Sequence, residues 1–159
     1  MMYIIFKLWN LNILIMTCFW EGILNLLDLE ELNYVFQTNH KLKPSPKDFV
    51  KLLKRKNTLV THIKHNNNNI SENEARENFE RINEIDIKQI GDGYLCSTFE
   101  PVLFLISYLF QYEIKYIFDC PFYEHLGVIN TIYTCQNSKG ELKFKSNSKH
   151  FESVGKELY

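Results

Sequence analysis

At 159 residues the chain is long enough for one domain with a real hydrophobic core and too short for two. Its 45% hydrophobic and 23% charged residues are typical of a globular protein, and a formal net charge of −1 without a dense basic stripe argues against nucleic acid as the main partner. The four cysteines are scattered and form no C-x-x-C pair, so neither a zinc ribbon nor a disulfide framework is indicated, and a reduced, intracellular setting fits best.

The first residues of the chain are rich in Ile, Leu, Phe and Trp. Lys7, Asn10 and Asn12 interrupt this run and no small-residue cleavage site follows it, so neither a secretory signal nor a membrane span is expected. Residues 2–16 form a buried strand or short helix, or else an extension that precedes a second possible initiator, Met16. We divide the chain into an apolar extension, 1–15, and a single domain, 16–159.

A cysteine lies where the strand-like run 11–16 changes to a helix-like pattern. Thr17 is a residue type favoured at helix N-caps, and Phe19 and Ile23 begin an apolar series at helical spacing. Cys18 is therefore expected in the first helical turn, where unpaired N–H groups and the helix dipole favour a thiolate and can bind an oxyanion. The alternative is that Cys18 is a buried core residue, as free cysteines commonly are.

The next part of the chain contains one clear helix start. Residues 28–43 are a polar and aromatic connection to which the sequence assigns no regular structure. Ser45 as N-cap and Pro46 at the first helical position predict a helix that ends in the basic cluster 54–56. We interpret that cluster as a solvated helix end rather than a nucleic-acid patch.

A second helix start follows a short strand and a loop. Residues 59–63 alternate well enough to predict a strand, and the asparagine run 66–69 is a low-complexity loop. Ser71 and Glu74 then form a capping box, which predicts a surface helix after it.

The strongest helical run spans residues 97–112 and is apolar on most sides, so it belongs in the centre of the fold. The apolar period then changes to two, which predicts strands over 114–118, 128–133, 142–146 and 151–154. Helices that precede strands in this way indicate an α+β fold, with the helices packed on a small, mainly antiparallel sheet.

A catalytic cysteine needs a base, usually a histidine that a third polar group holds in place. His150 lies at the entry to the last strand, and Glu152 two positions on points to the same face, where it can fix the imidazole tautomer. The alternative is a surface histidine beside a surface glutamate. The other histidines lie in polar or irregular stretches and are less suited: His40, His62, His65 and His125.

Two motifs resemble the ovarian-tumour (OTU) branch of the papain-like cysteine proteases. Cys-Phe-Trp at 18–20 opens the first core helix, and the closing strand reads Ser-Asn-x-x-His-Phe-x-Ser-Val over 146–154. In that family the nucleophile motif is Asp-Gly-Asn-Cys-hydrophobic-aromatic, and the base is His-aromatic followed by a polar residue. The resemblance covers the order of elements from Cys18 to Val154, but residue identity rests on these two motifs.

The chain departs from the family pattern before the cysteine. Ile15 replaces the family's aspartate and Thr17 its asparagine, so either Glu152 orients the base or the domain has lost activity. Gly-Asp-Gly-Tyr-Leu-Cys-Ser at 91–97 resembles the nucleophile signature more literally and makes Cys96 an alternative nucleophile. Only 54 residues separate Cys96 from His150, which is short for the intervening helices and sheet, so we prefer Cys18.

The resemblance implies an intracellular thiol protease of the deubiquitinase type, with ubiquitin or a ubiquitin-like conjugate as protein substrate. Cys18 would be the nucleophile, His150 the base and Glu152 its orienting acid, with the backbone N–H groups of Thr17 and Cys18 as the oxyanion hole. No cofactor, metal ion, nucleic acid or membrane is implied.

Two alternatives remain open: an inactive OTU-like binding or scaffold module, and a structural protein that uses the apolar N-terminus for contacts. Enrichment in Asn, Ile, Lys and Tyr indicates an AT-rich genome, such as that of a parasite or a large DNA virus.

Overall fold

A computed structural model describes residues 18–90, 100–119, 128–147 and 150–159, with the backbone alone for Cys18, Val128 and Ile129. These residues form an α+β fold, as the sequence predicts. The helices are α1 (Cys18–Leu26), α2 (Leu29–Phe36), α3 (Pro46–Lys56), α4 (Glu72–Asn83) and α5 (Glu100–Phe110), with a 3₁₀ turn at Ile87–Gln89. The strands are β1 (Lys64–His65), β2 (Asn68–Asn69), β3 (Glu113–Asp119), β4 (Val128–Thr134), β5 (Gly140–Ser146) and β6 (Phe151–Leu158).

The strands form one mixed sheet in the order β2-β1-β4-β3-β5-β6. β3 and β5 pair in parallel, and the other neighbouring strands are antiparallel. Four of the five pairings between the described strands are antiparallel, so the sheet is mainly antiparallel as predicted, and the parallel pair at its centre is the feature that the sequence did not indicate. The chain reverses direction after β4, but β5 does not pair with β4 and lies instead on the far side of β3. Which strand β5 pairs with depends on residues far apart in the chain, so no local sequence signal indicates it.

Three helix starts lie where the sequence predicts them. α1 begins at Cys18. The Ser45 hydroxyl accepts from the Asp48 N–H at 3.2 Å before α3. In the capping box before α4, Ser71 accepts from the Glu74 N–H at 3.2 Å and the Glu74 carboxylate accepts from the Ser71 N–H at 2.8 Å. These bonds satisfy backbone donors that a helix start leaves unpaired.

Residues 28–43, to which the sequence assigns no regular structure, contain a helix. α2 has a capping box of its own, in which the Asp28 N–H donates to the Glu31 carboxylate at 3.0 Å. Gln37 then ends α2 in the left-handed region, with φ at 54°. The spacing Asp-x-x-Glu at 28–31 is the signal that could have revealed this helix.

The region between α3 and α4 differs from the prediction. Residues 59–63 form no strand, and the ladder begins only at Lys64. The asparagine run 66–69 is part of a hairpin rather than a loop: Asn66 and Asn67, with positive φ of 48° and 66°, form its two-residue turn, and Asn68–Asn69 form β2. Asn66 fixes this turn to β4, since its side-chain oxygen accepts from the Ile132 N–H and its own N–H donates to the Ile132 carbonyl, both at 2.8 Å.

The hydrophobic core lies between the helices and one face of the sheet. Residues 101–107 of α5 are all buried, so this helix occupies the centre of the fold as predicted, although its predicted start at Ser97 lies outside the described residues. Ile114, Tyr116 and Phe144 alternate into the same core from β3 and β5. Across the described ranges, no helix combines the length and apolarity needed to cross a membrane.

Candidate functional site

The start of helix α1 meets the start of strand β6. The rings of Phe19 and Phe151 lie 4.8 Å apart between centroids, edge to face. Each phenylalanine directly follows a predicted catalytic residue, Cys18 or His150. One aromatic contact therefore joins the two chain segments that carry the predicted catalytic positions, although these segments are far apart in the sequence.

A cluster of buried aromatic rings holds this junction together. The Phe151 ring stacks on Phe144 at 5.1 Å and on Tyr116 at 6.1 Å, while Phe19 packs edge-on to Trp20 at 4.9 Å. Phe19 and Phe151 are both almost completely buried. Aromatic pairs of this kind are worth roughly 0.5–1.5 kcal/mol beyond the burial of their surface, so α1 is firmly attached to β6.

The close approach of α1 to β6 depends on Gly22. A Cβ atom at this position would lie 2.9 Å from Cδ1 of Phe151, closer than two carbon atoms can pack. A glycine inside a helix lowers stability by roughly 0.5–1 kcal/mol relative to alanine. Here the absence of a side chain permits the contact between the helix and the ring.

The backbone of His150 is held by Asn147. The His150 N–H donates to Oδ1 of Asn147 at 2.8 Å, and the Asn147 N–H donates to the His150 carbonyl at 2.9 Å. The imidazole itself is exposed. Asn147 thus fixes the backbone at the candidate base. The sequence predicts no role for this residue, although asparagine, here four residues before β6, is a common turn former.

Glu152 is exposed on β6, where it lies opposite Lys145 of β5 in the strand register. Phe151 between His150 and Glu152 is buried, so exposure alternates along the three residues as the predicted strand requires. The Cys18 side chain, Thr17 and Cys96 lie outside the described residues, and their predicted roles remain predictions.

Two further candidate groups have clear positions. His65, which lies in a polar stretch of the sequence, is half-buried and stacks on Tyr133 with 5.2 Å between ring centroids. Cys135 lines a pocket of about 530 Å³ with His62 and Lys64, but its thiol is mostly buried, and burial raises its pKa. A thiol with a raised pKa is less often the nucleophilic thiolate, so the surroundings of Cys135 are those of a core cysteine.

A charged network that the sequence did not predict joins α2 to the sheet. The Glu31 carboxylate accepts from Tyr112 at 2.5 Å, Lys139 at 2.8 Å and Lys156 at 2.7 Å. Burial by itself would raise the pKa of Glu31, but these hydrogen bonds outweigh it and lower the pKa to about 2. Lys156 also binds Asp28 at 2.6 Å, so the end of β6 is tied to the start of α2.

No cluster of three or more His, Cys, Asp or Glu side chains suited to a metal ion occurs in the part of the chain that the structure describes. Comparison with known proteins found no matching family model, no matching curated protein and no matching solved structure.

Proposed function

We propose that the chain is an OTU-like cysteine peptidase that cleaves a peptide or isopeptide bond. The contact between Phe19 and Phe151 is the observation that carries this proposal, because it joins the segments that hold the candidate nucleophile Cys18 and the candidate base His150. A nucleophile at a helix N-terminus and a histidine at a strand entry are the two parts that a thiol protease needs within reach of each other.

In the proposed reaction His150 takes the proton of the Cys18 thiol, and the sulfur attacks the carbonyl carbon of the scissile bond. The backbone N–H groups of Thr17 and Cys18 hold the negative oxygen of the tetrahedral intermediate. The carbon–nitrogen bond breaks, the imidazolium gives its proton to the leaving amine, and a thioester remains. Water deprotonated by His150 then attacks the thioester, which releases a carboxylate product and restores the thiol. Glu152 orients the imidazole.

The position of α5 favours Cys18 over Cys96. Phe104, in the second turn of α5, packs against Tyr133 of β4 at 4.7 Å and His65 of β1 at 5.7 Å. These strands lie toward the opposite end of the sheet from β6, which carries the candidate base at its start. The segment with Cys96 leads into α5, whereas α1 begins at Cys18 itself and contacts β6.

The substrate class follows from the resemblance to the OTU family alone: ubiquitin or a ubiquitin-like protein attached through its C-terminal tail, inside a cell. An electrophilic probe consisting of ubiquitin with a propargylamide at its C-terminus tests activity and substrate together. We expect the full chain to form a covalent adduct, Cys18→Ala and His150→Ala to lose it, and Cys96→Ala to keep it. An adduct that survives Cys18→Ala but disappears with Cys96→Ala would assign the nucleophile to Cys96 instead.

A second candidate function is that of an inactive OTU-like binding module, since Ile15 and Thr17 replace the family's polar residues before the cysteine. In that case the folded chain would form no adduct, yet would retain ubiquitin in a binding assay without an electrophile. Retention without labelling would overturn the peptidase proposal and support the binding module.

A further inference from the structure

The charges of this protein are unevenly distributed along the chain. Residues 38–56 contain seven of the 18 Lys and Arg residues and only one of the 19 acidic residues, Asp48. This segment therefore carries a formal charge of +6 and the rest of the chain −7. The overall charge of −1 conceals this separation. A local excess of one sign attracts partners of the opposite sign.

The fold gathers part of this segment into a groove of about 590 Å³ between the loop after α2 and the side of α3, from Asp48 in its first turn to Arg55 in its last. Its lining includes three apolar residues, Leu42, Pro44 and Leu52, and three basic ones, Lys43, Lys51 and Arg55. One acidic residue, Asp48, lines it as well, and the other lining residues are polar. Leu42 has 81% of its surface exposed, which is unusual for a leucine, while Leu52 at the groove floor is 7% exposed. The groove thus has an apolar strip with cations around it.

The loop that forms one wall of the groove has a fixed conformation. Oδ1 of Asn33 accepts from the His40 N–H and from the Thr38 hydroxyl, both at 2.9 Å, and its Nδ2 donates to the His40 carbonyl at 3.0 Å. Nζ of Lys43 donates to the Leu24 carbonyl near the end of α1 at 2.8 Å. These bonds hold Leu42 in solvent before any partner arrives, so binding requires little ordering of the loop.

We propose that this groove binds an acidic peptide segment of a partner protein, with one apolar side chain of that segment against Leu42 and Leu52. The basic side chains complement the negative charge of such a segment. Leu42, which the loop holds in solvent, supplies the apolar surface for its apolar side chain. Asp48 pairs with Lys51 at 2.8 Å and accepts from the Ser45 hydroxyl, also at 2.8 Å. This ion pair offsets one of the three lining cations, so the lining keeps a formal charge of about +2 from Lys43 and Arg55.

A single-stranded nucleic acid fits this groove less well. Base recognition on a protein surface usually uses aromatic stacking platforms, and none of the described residues that line the groove is Phe, Tyr or Trp. The proposal does not rest on the peptidase activity, because α3 and the loop before it contain none of the candidate catalytic residues.

The test is fluorescence anisotropy of a fluorescein-labelled peptide, Glu-Asp-Asp-Leu-Phe-Asp-Glu-Asp, titrated with the full chain at low salt. One control peptide replaces Leu-Phe by Ser-Ser, and another replaces every acid by its amide. We expect saturable binding of the first peptide and clearly weaker binding of both controls, because charge and apolar contact each contribute.

Two double variants with the same change in net charge locate the site. The groove variant, Lys51→Glu with Arg55→Glu, reverses two charges in the groove. The control variant, Arg81→Glu with Lys88→Glu, reverses two exposed charges elsewhere. Arg81 lies in the last turn of α4, as Arg55 does in the last turn of α3. We expect the groove variant to bind roughly tenfold more weakly and the control within about twofold of the wild type. Leu42→Ser should weaken binding about fivefold.

Equal weakening in both double variants, or no saturable binding of the acidic peptide, would overturn the proposal. So would tighter binding of an oligouridylate RNA or of phosphatidylserine vesicles, which would assign the groove to another class of partner. Thermal melts establish that each variant is folded. If the charge reversal unfolds the chain, Lys51→Gln with Arg55→Gln replaces it, and we then expect about threefold weaker binding.

Discussion

Phe151 lies edge-on to Phe19 with 4.8 Å between ring centroids, although 132 residues separate the two in the chain. This contact joins the first described helix to the last strand and brings the residues before each ring, Cys18 and His150, to one junction of the fold. Gly22 allows it, because any larger residue there would meet the Phe151 ring.

Gly22→Ala should therefore destabilise the protein despite the better helix propensity of alanine. The new Cβ would lie 2.9 Å from Phe151. Overpacking of roughly 1–3 kcal/mol then outweighs a propensity gain of roughly 1 kcal/mol. Urea denaturation followed by circular dichroism measures the loss in unfolding free energy.

Gly155→Ala is the matched control, since a Cβ there meets nothing within 4 Å. Combining Gly22→Ala with Phe151→Leu should recover part of the loss, because the smaller side chain makes room for the methyl group. If Gly22→Ala were as stable as Gly155→Ala, the tight contact would not be real.

Glu31→Gln should lower stability most at neutral pH. The folded pKa of Glu31 is about 2 against a usual 4.5, so its stabilising contribution is complete above pH 4.5 and disappears as the pH falls toward 2. We expect a loss of roughly 2–3 kcal/mol at pH 7 that shrinks steadily over this acidic range.

Glu30→Gln is the control, because Glu30 is the exposed neighbour in the same helix turn. Urea denaturation of the three proteins at several pH values measures the difference. If the difference in unfolding free energy between Glu31→Gln and the wild type stayed constant from pH 7 to about pH 2, the stabilising role of the charged network would be contradicted.

Asn147→Ala should slow the reaction with the ubiquitin probe while leaving the fold intact, provided that the proposed peptidase activity is present. The substitution removes the oxygen that accepts from the His150 N–H at 2.8 Å, so the backbone that carries the candidate base is less well placed. We expect labelling to be about five- to tenfold slower, which corresponds to the loss of one hydrogen bond.

Asn147→Asp retains the acceptor oxygen and should restore most of the rate. Recovery by aspartate at an unchanged melting temperature separates positioning of His150 from general destabilisation. A rate in Asn147→Ala equal to that of the wild type would remove Asn147 from the site.

The features that the sequence revealed are those that depend on near neighbours. Ser45 and Ser71 indicate the helix starts that follow them, because each hydroxyl accepts a hydrogen bond from the N–H group three residues later. The strands after α5 follow from the period of two. The α+β class was therefore predictable from the sequence.

The features that the sequence missed depend on residues far apart in the chain. Glu31 meets Tyr112 across 81 residues and Lys139 across 108, and no local pattern encodes such pairs. The parallel pairing of β3 with β5 and the aromatic junction at Phe19 are equally non-local. Cys18 and His150 were predicted from a change of apolar period, a strand entry and two short motifs. Such local signals indicate neither the ring contact nor the hydrogen bonds that Asn147 makes to His150.

Asn67→Gly and Asn67→Val should have opposite effects on stability. Asn67 has φ of 66° in the turn between β1 and β2, a conformation that glycine adopts freely and valine strongly resists. We expect glycine to be neutral or slightly stabilising and valine to cost about 1–2 kcal/mol. Thermal melts measure both changes, and a valine variant as stable as the wild type would show that the turn is not of the hairpin type.

The distance in sequence between Phe19 and Phe151 also affects the order of events in folding. Closure of so long a loop has an entropic cost before its contacts form, and contacts between remote residues form more slowly than local ones. The helices, whose contacts are local, can form earlier. A compact intermediate would then have most of its helical signal but no junction between α1 and β6, so the segments that carry Cys18 and His150 would still be apart.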